Sequence, residues 1–129
     1  QPVTAVTEKT GISEPVVWSM GNFVSNQRTR RRDGGLMIRL DITAGPDTTI
    51  ISDAGYILTW VYTPVENGKK RFYILPCAEF EHRPEFFQNP RDYNDMIVYI
   101  TDARRLLRNN GKGFREMTLA GGKWTGVAQ

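Results

Sequence analysis

Arg28, Arg30, Arg31 and Arg32 fall within five positions, with Asp33 the only acid beside them. Charge at that density repels itself unless water or an anion meets it. The stretch is therefore either a solvated loop or a site for phosphate or carboxylate groups. Nucleic acid is the less expected partner, because no aromatic residues are interleaved with these arginines to stack on bases. A second basic group, Arg104, Arg105 and Arg108, has the spacing of a helix end. Metal chemistry is poorly supplied. The chain has a single histidine, His82, in Glu79-Phe80-Glu81-His82-Arg83-Pro84, and a two-metal hydrolytic site needs several convergent ligands. His82 reads as a polar loop residue. Glu79 and Glu81, two apart, would share one face at a strand end, as a carboxylate pair or a solvated rim. Ser19 and Ser25 have no histidine near them in sequence to complete a triad. Gly34-Gly35 is not a phosphate loop, since no Gly-Lys-Ser/Thr follows and no helix opens there.

The elements that must position these residues are strands first and one helix late. Gln1 to Glu8 alternates as a short strand, and Lys9 to Glu14 reads as a turn closed by Pro15. Val16 to Met20 is a short apolar run expected to be a strand buried on both faces, ended by Gly21. Leu36, Ile38, Leu40 and Ile42 form one face of a strand, with Met37, Arg39, Asp41 and Thr43 on the wet face. Gly45-Pro46-Asp47 is a turn. Tyr56 to Thr63 and Lys69 to Leu75 form a hairpin across Pro64-Val65-Glu66-Asn67-Gly68, because Asn-Gly tolerates the positive φ that hairpin turns need. Trp60, Tyr62, Phe72 and Tyr73 are placed for cross-strand contacts.

Asn89 caps a helix that Pro90 opens, with Asp92 at its positive end. Tyr93, Met96, Ile97, Ile100, Ala103 and Leu107 form its core stripe. Arg104, Arg105 and Arg108 would complement its negative end, and Asn109-Asn110-Gly111 stops it. Residues 111–129 read as a Gly-rich, weakly patterned tail with Trp124 as an anchor. The 129 residues, 40% hydrophobic and 24% charged with net charge +3, are enough for one domain, residues 1–129. Its class is α+β, a mainly antiparallel sheet with one helix in the C-terminal half. The lone Cys77 excludes an internal disulfide and fits a buried thiol. No run approaches a membrane span, and no stretch at the start reads as a signal peptide.

One stretch carries more than pattern. "VVWSMGNFVSNQ", Val16 to Gln27, resembles the late strand of the bacterial capsule-synthesis family. These are poly-γ-glutamate synthesis proteins related to calcineurin-like metallophosphoesterases. Members carry tyrosine-serine-leucine-glycine-asparagine-phenylalanine there; this chain has Trp18-Ser19-Met20-Gly21-Asn22-Phe23. Members also carry a His-Pro-His-Val motif followed by Gln-Pro, and this chain begins Gln1-Pro2, as if cut after that motif. The resemblance covers Gln1 to about Ile42 and extends more loosely through Tyr56 to Tyr62 and Phe72 to Pro76.

The resemblance implies the C-terminal part of a metallophosphoesterase-like α/β/β/α sandwich. The family's metal ligands lie in an upstream half, and a divalent metal would belong to the longer protein, with no cofactor in this chain. Asn22 would be the catalytic candidate, with Phe23 packed beneath it. Gly21, Asn22, Arg28, Arg30, Arg31 and Arg32 would be substrate-binding. The implied partners are an anionic polymer such as polyglutamate, the N-terminal half of the same protein, and a second copy through unpaired strand edges. The implied location is the bacterial cell envelope, outside the cytoplasm. The competing expectation is a non-catalytic module that binds an anionic envelope polymer.

Overall fold

The computed structural model describes residues 3–7, 13–17, 19–23, 25–27, 29, 32–110 and 114–127, with the backbone alone described at 3–7, 13–16 and 110. The first two strands, β1 (Val3–Thr7) and β2 (Ser13–Val17), pair antiparallel as a separate two-stranded sheet. The second strand thus starts and ends earlier than the apolar run suggested. Pro15 lies inside it, opposite Ala5, and Met20 is 54% exposed rather than buried. Proline is tolerated here because a two-stranded ribbon is all edge.

The main sheet begins with β3 (Gly34–Ala44) and β4 (Thr49–Tyr62), a long antiparallel hairpin running from Gly34 opposite Trp60 to Ala44 opposite Thr49. The expected turn closes it, with the Gly45 N–H donating to the Thr48 carbonyl at 2.7 Å. Ser52 is an extra residue on β4, so the register shifts between Asp41 and Ile42. The alternating apolar face of β3 is buried only at its start. Leu36 is in the core, but Ile42 is 63% exposed, because the far end of the hairpin runs on as an arm beyond the buried cluster.

After Tyr62 the chain makes a small nested hairpin, β5 (Val65–Glu66) and β6 (Lys69–Lys70). Asn67 and Gly68 turn it with φ of 50° and 73°, the paired positive values that Asn-Gly favours. Then β7 (Tyr73–Pro76) returns along β4, with Tyr62 opposite Tyr73 and Trp60 opposite Leu75. The expected hairpin is there, with a smaller one folded into its connection. The Tyr62 and Tyr73 rings meet tilted at 6.4 Å, whereas Phe72 is exposed.

A short helix, α1 (Cys77–Phe80), and a 3-10 turn (Pro84–Phe86) lead into α2 (Pro90–Asn110). Cys77 is fully buried, and burial pushes its thiol well above the ordinary value. Glu79 and Glu81 do not share a strand face. Glu79 sits on α1 against Arg83 at 3.5 Å, and Glu81 turns inward. Asn89 caps α2 as expected, its Oδ1 accepting the Arg91 N–H at 2.9 Å. Met96, Ile100 and Leu107 bury the helix stripe against Leu36, Tyr56, Leu58, Trp60 and Tyr62.

The C-terminal segment is ordered into a hairpin, β8 (Arg115–Ala120) and β9 (Lys123–Gly126), turned by Gly121 and Gly122. A short parallel contact, Gly55 opposite Arg115 and Tyr56 opposite Glu116, joins it to β4. The five-stranded sheet therefore runs β3-β4-β8-β9, with β7 also on β4, and is mostly antiparallel. This is the α+β arrangement expected, one main helix lying on a strand-rich sheet.

Arg104 does not serve the helix end. Its guanidinium grips both Glu81 oxygens at 2.7 and 2.8 Å and both Glu116 oxygens at 2.7 and 3.0 Å. The three residues join α1, α2 and β8, and the Glu116 side chain is only 5% exposed. Bidentate geometry on two carboxylates is the form in which a buried charge is best compensated. Replacing Arg104 by Met leaves two sequestered carboxylates without a counter-charge. It should cost about 3 to 5 kcal/mol in urea unfolding. Arg105→Met, at a side chain 72% exposed, should cost less than about 0.5 kcal/mol. Equal losses would show that the buried cluster does not hold these elements together.

Candidate functional site: the root of the arginine loop

The segment after β2 returns to the sheet and lies against the start of β3. Leu36 N–H donates to the Met20 carbonyl at 2.7 Å, and Asn22 N–H donates to the Gly34 carbonyl at 3.1 Å. Gly21 sits opposite Gly35 as a single bridge. Three glycines make this approach possible. Gly21 has φ of +72°, and a β-carbon on it would lie 2.9 Å from the Gly34 carbonyl oxygen. One on Gly35 would lie 2.9 Å from the Asn22 carbonyl oxygen, and one on Gly34 would fall 2.3 to 2.7 Å from the Tyr99 ring. The Gly34-Gly35 pair is therefore a packing device, admitting Tyr99 of α2 and the Met20–Asn22 segment to the same stretch of backbone.

Asn22, the catalytic candidate, spends its amide on the loop itself. Its Nδ2 donates to Gln27 Oε1 at 3.0 Å and to the Arg32 carbonyl at 2.8 Å. Both amide hydrogens are thereby used across the neck of the loop that carries the arginines. Arg32 closes a turn through its N–H to the Thr29 carbonyl at 3.0 Å and is itself exposed. Arg28, Arg30 and Arg31, like Trp18, lie outside the described residues. Phe23 does not pack beneath the turn; its ring is largely exposed. Ser25 Oγ accepts the Gln27 N–H at 3.0 Å, Ser19 Oγ accepts the Gly21 N–H at 3.3 Å, and Lys70 Nζ donates to Asn26 Oδ1 at 3.1 Å. Both serine hydroxyls accept a backbone N–H two residues on.

Two residues missed in the sequence complete the root. Asp33, at the base of the loop, is 7% exposed, and its Oδ1 has no hydrogen-bond partner. Tyr99 donates its hydroxyl to the Gly35 carbonyl at 2.7 Å. Burial pushes its phenol far above the ordinary tyrosine value, with Cys77 and Asp33 adding to the shift, so it stays a donor throughout the neutral range. Its place was readable. Tyr99 lies three positions after Met96 and four before Ala103, on the helix stripe. Between the Ser19–Gly21 segment, the sheet and the second half of α2 opens a cavity of about 540 Å³, with Leu58, Ala103 and Leu107 in its wall and Asp102, Arg105 and Asn109 at its rim.

These residues do not fit a resident metal. Among the described residues no three His, Cys, Asp or Glu side chains converge. His82 is 81% exposed, and the Glu81 beside it is held by Arg104. No helix among the described residues is long and apolar enough to cross a membrane. No protein-family model, curated protein or solved structure matches the chain.

The crowding at Gly34 has a direct consequence. Gly34→Ala should destabilise the fold by about 1 to 3 kcal/mol, the usual cost of overpacking. Combined with Tyr99→Ala, which removes the obstructing ring, the loss should fall short of the sum of the two single losses. Strict additivity in thermal or urea unfolding would mean that ring and backbone are not in contact.

Proposed function

We propose that this chain is the C-terminal part of a bacterial capsule or poly-γ-glutamate biosynthesis protein with a metallophosphoesterase-like α/β/β/α sandwich. In this reading the metal-ligand half lies elsewhere in the same protein, and the chain works in the cell envelope, outside the cytoplasm. The Ser19-Met20-Gly21-Asn22-Phe23 signature and its placement carry the reading. A late-strand motif of that kind should run along the sheet edge and deliver the chain into a loop beside the substrate. What supports the reading is that Met20 to Asn22 contacts the start of β3 through two backbone bonds and one bridge, and that the Asn22 amide bonds across to Gln27 and Arg32, although residues 19–23 form no strand of their own.

In this reading Asn22 is a positioning residue. It holds the neck of the loop, while Arg28, Arg30, Arg31 and Arg32 offer cations to an anionic polymer such as polyglutamate. No reaction step is assigned to this chain, because its described side chains supply no metal site.

Two measurements test the reading. The chain alone should turn over no generic phosphodiester with added manganese or zinc. Turnover that survives repurification and is abolished by a chelator would overturn the division of labour. The protein should also bind polyglutamate through the arginine loop, more weakly as salt rises, because the Debye length shrinks from about 10 Å at 0.1 M to about 3 Å at 1 M. Replacing Arg30, Arg31 and Arg32 by serine should lower that affinity and leave the melting temperature nearly unchanged, as exposed charges contribute little to stability. Equal affinity of variant and parent at low salt removes the loop from the site.

A further inference from the structure

The outer edge of β3 is built to pair with itself. Past Leu36, whose N–H reaches the Met20 carbonyl, no described strand lies beside β3 on the side away from β4. Among the described residues, Met37 to Ala44 is therefore an open edge of eight residues. Natural sheets protect such edges with charged side chains, lysine above all, with proline, with bulges or with very short strands; here the protection is limited to Arg39, Asp41 and the bulge opposite Asp41 and Ile42 on β4. β9, at the other end of the sheet, has four residues and begins with Lys123. Met37 to Ala44 contains neither lysine nor proline. It also exposes apolar side chains, with Met37, Leu40 and Ile42 all open to solvent and Ile51 beside Ile42 on β4.

The hydrogen-bonding pattern fixes which residues offer their backbone outward. Val61 N–H donates to the Asp33 carbonyl, while the Gly34 carbonyl and the Leu36 N–H point the other way, to Asn22 and Met20. Continued along the strand, this alternation turns the N–H and C=O groups of Ile38 and Leu40 to the open side. A two-fold axis through Leu40 then sets Leu40 against Leu40 of a second copy, as a pair that exchanges both backbone bonds. The same axis sets Ile38 against Ile42 and Arg39 against Asp41, each twice. Apolar residues meet apolar ones on one face, and opposite charges meet on the other. Most edge sequences centred on one residue do not match in this way.

We propose that two copies of this chain associate through antiparallel pairing of their β3 edges about Leu40, making one continuous sheet. The contact is isologous and uses one edge per chain, so it closes at a dimer rather than growing into a fibre. Within the chain Arg39 already pairs with Asp41 and with Asp53, the latter at 3.3 Å. Its five donors allow it to keep Asp53 while reaching Asp41 of the second copy. This inference does not rest on the capsule reading and stands or falls separately.

Sedimentation velocity over a wide concentration range, with circular dichroism as the folding control, tests it. The parent should be a reversible monomer–dimer system. Asp41→Arg places like charges opposite each other twice and should weaken the dimer about tenfold or more. Arg39→Asp should do the same. Mixing these two variants restores opposite charges at every pair and should recover a one-to-one dimer. Leu40→Pro removes an N–H that points away from β4, so it should abolish pairing while leaving the β3–β4 ladder intact. Because it touches no ion pair, it carries the test if a charge variant fails to fold. A monomeric parent, an open-ended series of larger species, or a dimer indifferent to Leu40→Pro would each overturn the proposal.

Discussion

The absence of two β-carbons, at Gly34 and Gly35, governs the arrangement around the candidate site. One glycine lets the Tyr99 ring lie on the strand backbone, and the next lets the Met20–Asn22 segment pass within hydrogen-bonding reach. The two approaches converge on the same short stretch of β3, so helix, sheet and loop root are coupled there. A side chain at either position would force one of them away. The Tyr99 hydroxyl adds a hydrogen bond to the Gly35 carbonyl, so the contact is directional as well as close. Such a joint transmits strain, because packed interiors do not deform gradually.

The second joint is ionic and lies little more than one turn further along α2, at Arg104. Arg104, Glu81 and Glu116 connect three elements far apart in sequence. A buried ion cluster need not exceed a well-packed apolar one in stability. What it adds here is selectivity of position. Two carboxylates without their guanidinium are costly in a low dielectric, so arrangements that separate them are disfavoured more strongly than loss of a methyl contact would achieve. The C-terminal hairpin has a short parallel contact with β4, and the grip on Glu116 adds to the buried Met117 beside Gly55 and to the Arg115–Asp53 pair in holding it there.

The parts of this fold legible in the sequence are those decided locally. Asn67-Gly68 turns a hairpin because its own backbone preferences require it, and Asn89-Pro90 opens a helix for the same reason. Met96, Ile100 and Leu107 share a face because helical geometry puts them there. What was not legible depends on partners distant in sequence. Glu79 and Glu81 have strand spacing, yet the chain coils at Cys77 once β7 ends, and Arg104 draws Glu81 inward. Arg104 reads like its neighbours Arg105 and Arg108 until two carboxylates from other elements meet it. β8 and β9 look weakly patterned because their Gly-rich sequence has little periodicity. They are strands because β4 offers an edge. Gly21 and Asn22, expected at a turn closing a strand, instead lie against the start of β3, with Gly21 bridging Gly35. The use of the Asn22 amide is set by the Arg32 carbonyl, ten residues away, which no local pattern reveals.

That use of Asn22 bears on how an arginine-rich loop can bind at all. Any segment that becomes ordered on meeting a ligand loses conformational freedom, and that loss offsets part of the attraction. Holding the neck of the loop with two amide hydrogen bonds places some of this ordering in the folded state, before any ligand arrives. Asp33 lies at the base of the same neck, buried, with its Oδ1 unpartnered. Among the described residues the neck is held by the two Asn22 bonds and by the Arg32–Thr29 turn, while Arg32 stays exposed to solvent.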